Sequence, residues 1–240
     1  MKILLTLLLS IALSACLTSN DVRMSSEHAQ FIEKVGVISV LDEHANIHYA
    51  AQEPKDIIDR RAHIEGWQIN RVVGQHIVER MAQKGFKARL LNIDEQALAP
   101  YDNSWARPNT EMLRPKLYEI GAAAGVDMLV VVYRQRVSEF ISKSREKLRG
   151  YGIFKTHRLE PHLYAAVHVE ALDINKKFVL GSADGMQAIK WEDNSWYIGF
   201  KPGKAPVALP FKATAPQADE LRELIKLASL LAAQEAGLSN

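Results

Sequence analysis

The stretch Leu117-Tyr118-Glu119-Ile120-Gly121-Ala122-Ala123-Ala124-Gly125-Val126-Asp127-Met128-Leu129-Val130-Val131 decides the fold. Leu117, Ile120, Gly121 and Ala124 recur at three- and four-residue spacing, which predicts a helix over Leu113 to Ala124 with one apolar side. Gly125 stands where a left-handed C-cap belongs, and Gly125-Val126-Asp127 is the exit. The run Met128-Leu129-Val130-Val131-Val132-Tyr133 is short, unbroken and rich in β-branched residues, so it reads as the clearest strand of the chain. A helix feeding such a strand is half of a parallel crossover unit.

Upstream, Lys34-Val35-Gly36-Val37-Ile38-Ser39-Val40-Leu41 has the same β-branched character and predicts another buried strand. Asp42 to Pro54 reads as a loop or a short hairpin. From Asp56 to Lys84, apolar residues from Ile57 through Trp67, Val73 and Ile77 to Met81 recur with helical spacing. This predicts one amphipathic helix, or two joined near Gly66, capped by Gly85. Phe86 to Ile93 alternates as a strand, and Ala99 to Asn109 has the prolines and polar residues of an exposed connection. The order strand, helix, strand, helix, strand implies parallel pairing through right-handed crossovers.

Downstream, Arg134 to Ser142 reads as a continuation of the third strand. Lys143, Arg145, Lys147 and Arg149 follow, a basic alternation that keeps an edge strand or loop soluble or, as the lesser alternative, contacts phosphorylated lipid headgroups. Tyr151 to His157 and Leu163 to Leu172 are strand candidates, and Asp173 to Lys177 is a turn into Phe178 to Ser182. A long loop is expected over 184–216, then a terminal helix from about Gln217 to Ala236 with Leu221, Leu224, Ile225, Ala228, Leu231 and Ala232 facing inward. The fold class expected is α/β: a mixed sheet with a βαβαβ core, followed by antiparallel strands and a C-terminal helix.

The 240 residues are 48% hydrophobic and 24% charged, which excludes collagen-like, disordered and polytopic membrane classes. With 30 basic against 28 acidic residues the balance is too even to point to nucleic acid. The one strongly apolar stretch is Ile3 to Ala15, preceded by Lys2, and it has the anatomy of a secretory signal. It is too short to span a bilayer, which takes roughly 20 apolar residues. The single cysteine of the chain, Cys16, closes it.

Leu13-Ser14-Ala15-Cys16 resembles the bacterial lipobox, a branched apolar residue and two small ones before the cysteine that is acylated. The resemblance implies that residues 1–15 are removed and that Cys16 becomes the mature N-terminus, carrying a diacylglyceryl thioether and an N-acyl chain. Two or more buried chains anchor stably where one holds only reversibly. Leu17 in place of an aspartate favours the outer membrane, with the domain on its periplasmic face. With its cysteine acylated the mature chain has no disulfide, so its domain is held by core burial. Residues 16–30, with Ser19, Asn20, Ser25 and Ser26, are expected to form a lipidated tether, and 31–240 a single α/β domain.

The mature chain is similar to the anticodon-binding-like α/β domain of curli secretion channel subunits, penicillin-binding-protein activator lipoproteins and the TolB N-terminal domain. The likeness is carried by 34–40 as first strand, by the helix, glycine, aspartate and strand of 117–131, and by Val169 to Leu180 as a late hairpin. It implies a non-enzymatic factor that binds another envelope protein. No equivalent of the membrane-inserting hairpins of the curli channel is found, which argues against a pore.

Residue patterns that carry chemistry are few. His44 and His48, beside Asp42 and Glu43, would share a face as a metal pair only on a helix, and the segment reads as a polar loop. Gly181-Ser182-Ala183-Asp184-Gly185 sets its serine one position too early for a nucleophile elbow. There is no phosphate-cradling glycine motif, so no cofactor is expected. Folding can still gather His157, His162 or His168 with Glu170. Trp105, Trp191 and Trp196 fall in expected loops, where they either anchor a partner or cover the core. The function expected is a lipid-anchored protein-binding or assembly factor. Its alternatives are an envelope hydrolase with a site near the strand ends and the Trp191 to Trp196 loop, and a structural subunit of an oligomeric envelope complex.

Overall fold

The computed structural model describes residues 21–41, 43–50, 58–93, 98, 110–156, 158–191, 211–212 and 216–239. The predicted central unit is present. β1 (Lys34–Val40) lies between β4 (Lys87–Leu90) and β5 (Met128–Arg134), parallel to both. α2 (Ile69–Gln83) precedes β4 and α3 (Thr110–Ala123) precedes β5; ahead of them all is α1 (Ser26–Ala29). Gly125 takes φ of 63°, the left-handed cap that its lack of a Cβ permits. Asp127 then ties the unit together: its Oδ2 accepts from the backbone N–H of Lys34 at 2.8 Å and of Glu33 at 3.1 Å. The glycine-x-aspartate exit therefore joins the start of β5 to the start of β1.

The sheet forks at β9 (His162–Asp173). β10 (Phe178–Lys190) pairs antiparallel with β9 along its whole length, so the other edge of β9 is shared. Val167 to Asp173 pair with β5, and His162 to Ala165 pair with β8 (Tyr151–Thr156). β8 leads on to β2 (His44–Ala50), β3 (Ile58–Glu65) and the short β11 (Phe211–Lys212). At the fork Gln135 N–H donates to Ala166 O at 3.0 Å, Ala166 N–H to Gly150 O at 2.6 Å, and Gly150 N–H to Gln135 O at 2.8 Å. The two branches thus share one backbone junction. β6 (Arg136–Ser138) and β7 (Lys147–Arg149) leave it as a separate antiparallel ribbon.

Alternation along β9 sorts the core into two layers. Leu163, Ala165, Val167, Val169 and Ala171 face α2 and α4 (Pro216–Glu235), joining Val35, Val37, Ile77, Ile225 and Ala228 in the main core. On the opposite face Leu172 packs with Leu113 and Leu117 of α3, and Tyr164 and Ala166 pack with Val137 and Leu148 of the ribbon. α4 lies close against β10: a Cβ on Gly185 would stand 1.9 Å from the Ala228 carbonyl oxygen. Only glycine permits that approach.

Five expectations are corrected. Residues 58–65, read as part of a helix, are a strand: Ala62 and Ile64 point inward while His63 is exposed, and Gly66 (φ 71°) and Gln68 (φ 50°) separate them from α2. The helical spacing from Ile64 onward belongs in truth to two elements. His44 and His48 stand on β2, not in a loop, where four residues span about 13 Å. Strand β5 stops at Arg134, and Arg136 to Ser138 turn away into the ribbon. Strand β10 runs to Lys190, so the part of the expected loop from Asp184 to Lys190 is paired with β9. The expected tether is docked from Val22, which bridges Ser182, while Met24 is buried in the core. The tether reading was compositional, and it missed the core contact of Met24 and the backbone bridge of Val22.

Candidate functional site

Among the described residues the main concentration of buried polar groups lies on the outer face of β9 and β10, between the α3 layer and the ribbon. It arises from residues two apart on one strand, His168 and Glu170, which alternation sends to the same face. β10 brings Asp184 opposite His168 and Ser182 opposite Glu170, and β5 brings Tyr133 opposite His168. Arg114 reaches in from α3 and Gln135 from the fork.

Glu170 is 1% exposed and its carboxylate is matched from two sides. Arg114 donates to its Oε1 through Nη2 at 2.6 Å and Nε at 3.1 Å, and Tyr133 Oη donates to Oε2 at 3.3 Å. A buried carboxylate needs such a partner, since desolvating it alone costs several kcal/mol. Burial opposes the charge on Arg114, but its bond and attraction to Glu170 prevail and raise its pKa. The second pair is His168 Nδ1 with Asp184 Oδ1 at 2.6 Å, and Gln135 Nε2 donates to the same oxygen at 2.7 Å. A carboxylate only accepts, so the Nδ1 proton lies toward Asp184 and the ring is held in one orientation. The ring of Tyr133 sits 6.2 Å from that of His168, linking the two pairs.

A second polar group lies on the other branch. His48, 7% exposed, stacks on Phe154 at 5.7 Å and stands 3.7 Å from Asp59 Oδ1 and 3.5 Å from Glu146 Oε2. Arg149 lies 3.6 Å from Asp59 Oδ2. His48 first, then Arg149, hold the Asp59 carboxyl below its usual range against the opposing effect of burial. Among the described residues no group of three or more His, Cys, Asp or Glu is arranged to hold a metal ion.

Of the residues singled out from sequence, Cys16, Trp105 and Trp196 lie outside the described residues, as does His157. Trp191 is 4% exposed and belongs to the main core. His44 faces His63 across β2 and β3 with ring centres 5.0 Å apart, and His48 stands about 13 Å further along the strand. Folding does place His168 beside Glu170, but each is joined to another group. Arg114, Tyr133, Gln135 and Asp184 were missed. The signal available was two polar residues of equal parity inside an otherwise apolar strand, which require buried partners from somewhere.

The fold and this row define a mixed α/β domain with an internally paired polar layer on one sheet face. No protein-family model matches the chain, and no curated protein matches it. Among solved structures it is similar to the PelC dodecamer from Paraburkholderia phytofirmans at 8% identity, covering 87% of this chain and 89% of that one, with a TM-score of 0.36. It is similar also to the LpoB C-terminal domain from Salmonella enterica, at 11% identity over 66% of this chain and 83% of that one, with a TM-score of 0.25. The hypothetical protein CT253 from Chlamydia trachomatis is a third, at 11% identity over 83% and 99%, with a TM-score of 0.32. At these identities and scores the likeness assigns no function.

Proposed function

We propose that the protein is a lipid-anchored envelope protein whose domain binds another envelope protein and serves its assembly, with Cys16 as the acylated N-terminus at the periplasmic face of the outer membrane. The observation that carries this is the placement of the chain's single cysteine at the end of the lipobox Leu13-Ser14-Ala15-Cys16. The buried row is paired internally, Glu170 with Arg114 and Asp184 with Gln135, and these bonds stabilise the domain that would meet the partner. The test is crosslinking in the native host followed by detergent capture, comparing the natural chain with Cys16→Ser. One specific partner recovered with the natural chain and lost with the variant is expected. Recovery of no specific partner overturns the binding role.

A second reading, an envelope hydrolase, is favoured by the 2.6 Å contact of Asp184 with His168, an arrangement that orients imidazoles acting as general bases. It requires turnover of an ester or glycan substrate that is lost on His168→Asn while the domain stays folded. Turnover unaffected by that substitution excludes His168 from the role.

A further inference from the structure

We propose that the β6–β7 ribbon is a binding surface for anionic phospholipid headgroups, lying against the leaflet that holds the acyl chains. Residues 136–149 contain five cations, Arg136, Lys143, Arg145, Lys147 and Arg149, and two carboxylates, Glu139 and Glu146. Glu139 is fully engaged, whereas Glu146 is 33% exposed and stands 3.5 Å from His48 Nε2 without a hydrogen bond, so five cations face at most one free carboxylate. Glu139 is 4% exposed and accepts from the backbone N–H groups of Ile141, Ser142 and Ser144 and from Ser142 Oγ. Glu146 lies beside His48, and Arg149 beside Asp59. This leaves Arg136, Lys143, Arg145 and Lys147, all exposed and without an acidic partner among the described residues; Lys147 donates to Ser138 Oγ at 2.7 Å. In a chain of net charge +2, four such cations on one short ribbon are a local concentration.

The ribbon is built to hold them outward. Val137 and Leu148 point into the core with Phe154 and Tyr164, which fixes the opposite face toward solvent. Lys143 takes φ of 58°, a left-handed conformation that costs a residue with a Cβ roughly 1 kcal/mol. The bonds of Glu139 to the residues on either side impose that conformation and so present Lys143 and Arg145 at the tip.

The strand register brings this surface near the anchor. Phe140 and Ile141 pack in the same cluster as Met186 and Ala188 of β10, while Val22 docks on Ser182 of the same strand. Four to six strand residues span about 13 to 20 Å. Cys16 precedes Val22 by six residues, which reach at most about 21 Å. The membrane is therefore the anionic surface within reach, and an acyl anchor combined with a basic patch is a pairing that strengthens attachment. The choice of leaflet rests on the anchor reading; the charge of the ribbon does not.

The test uses the mature chain, residues 16–240 with Cys16→Ser, so that no acyl chain contributes. It is sedimented with vesicles of phosphatidylcholine alone or with added phosphatidylglycerol, at low and high salt. Binding to the phosphatidylglycerol vesicles at low salt is expected, lost at high salt and absent on phosphatidylcholine. Replacing Arg136, Lys143, Arg145 and Lys147 together by serine is expected to weaken it about 600-fold, from roughly fivefold for each of the four cations. A charge-keeping variant, Arg136→Lys with Arg145→Lys, is expected to bind as its parent does. An unchanged unfolding midpoint in both variants separates lost charge from lost fold. Equal binding by parent and serine variant overturns the proposal, as does equal binding to both vesicle types or binding to neither. Acylation is read separately, from the mass of the natural chain, so the anchor and the ribbon fail independently.

Discussion

Val22 and Ser182 exchange both backbone hydrogen bonds, Val22 N–H to Ser182 O at 2.8 Å and Ser182 N–H to Val22 O at 2.6 Å. Beside them Met24 N–H donates to Ala236 O at 2.9 Å, at the end of α4. The chain thus joins the domain six residues after Cys16. An acyl group on that cysteine would keep the domain within about 21 Å of the bilayer, and a partner of the proposed kind would be met there.

The docked segment should resist cleavage. Limited proteolysis is expected to spare the peptide bonds between Val22 and Phe31 in the natural chain. Met24→Ala removes a core contact and should lower stability by about 2 to 4 kcal/mol, read from urea unfolding, with new cuts ahead of Phe31.

Arg114→Met should be costly because it strands the Glu170 carboxylate inside the protein. A loss of about 2 to 3 kcal/mol is expected, below the roughly 3 to 5 kcal/mol of a fully buried pair, since Arg114 is 31% exposed. Adding Glu170→Gln removes the charge and should restore more than half of the loss in a double-mutant cycle. Additive losses would show that the two side chains are not coupled.

Glu139 should make the ribbon sensitive to acid. Burial raises its pKa, but the bonds from Ser142 and Ser144 outweigh this and leave it below the usual glutamate value of 4.5. A depressed folded-state pKa contributes stability that is present above the unfolded value and lost as pH falls through the folded one. Amide protection at Val137, Leu148 and the tip, taken relative to the intrinsic exchange rate at each pH, is therefore expected to fall below about pH 4.5, and Glu139→Gln should flatten that dependence while destabilising the ribbon by about 1 to 3 kcal/mol.

Gly185→Ala should separate β10 from α4. The added methyl would meet the backbone of Ala228, which no rotamer change relieves. Overpacking of this kind costs about 1 to 3 kcal/mol, measurable as a lowered Tm.

The parallel unit was readable because its signals are local and repeated: the Gly125 cap, the β-branched run of β5 and the spacing of α3 all lie within 21 residues, Leu113 to Tyr133. Strand β3 was not, because Ile64 and Trp67 fit helical spacing, and only pairing with β2 decides otherwise. The length of β10 was hidden for a like reason: Asp184 and Gly185 look like loop residues until His168 and Ala228 stand opposite them. The polar row was half legible, since His168 and Glu170 lie on one strand, whereas Arg114 and Asp184 arrive from 56 residues before Glu170 and 16 residues after His168.

The central claim is the lipid on Cys16. Intact mass and N-terminal fragmentation of the mature protein from its native host test it most directly. The account predicts a chain beginning at Cys16, with diacylglyceryl on the sulfur and an acyl group on the amine. A mature chain beginning elsewhere, or a Cys16 without lipid, would contradict it.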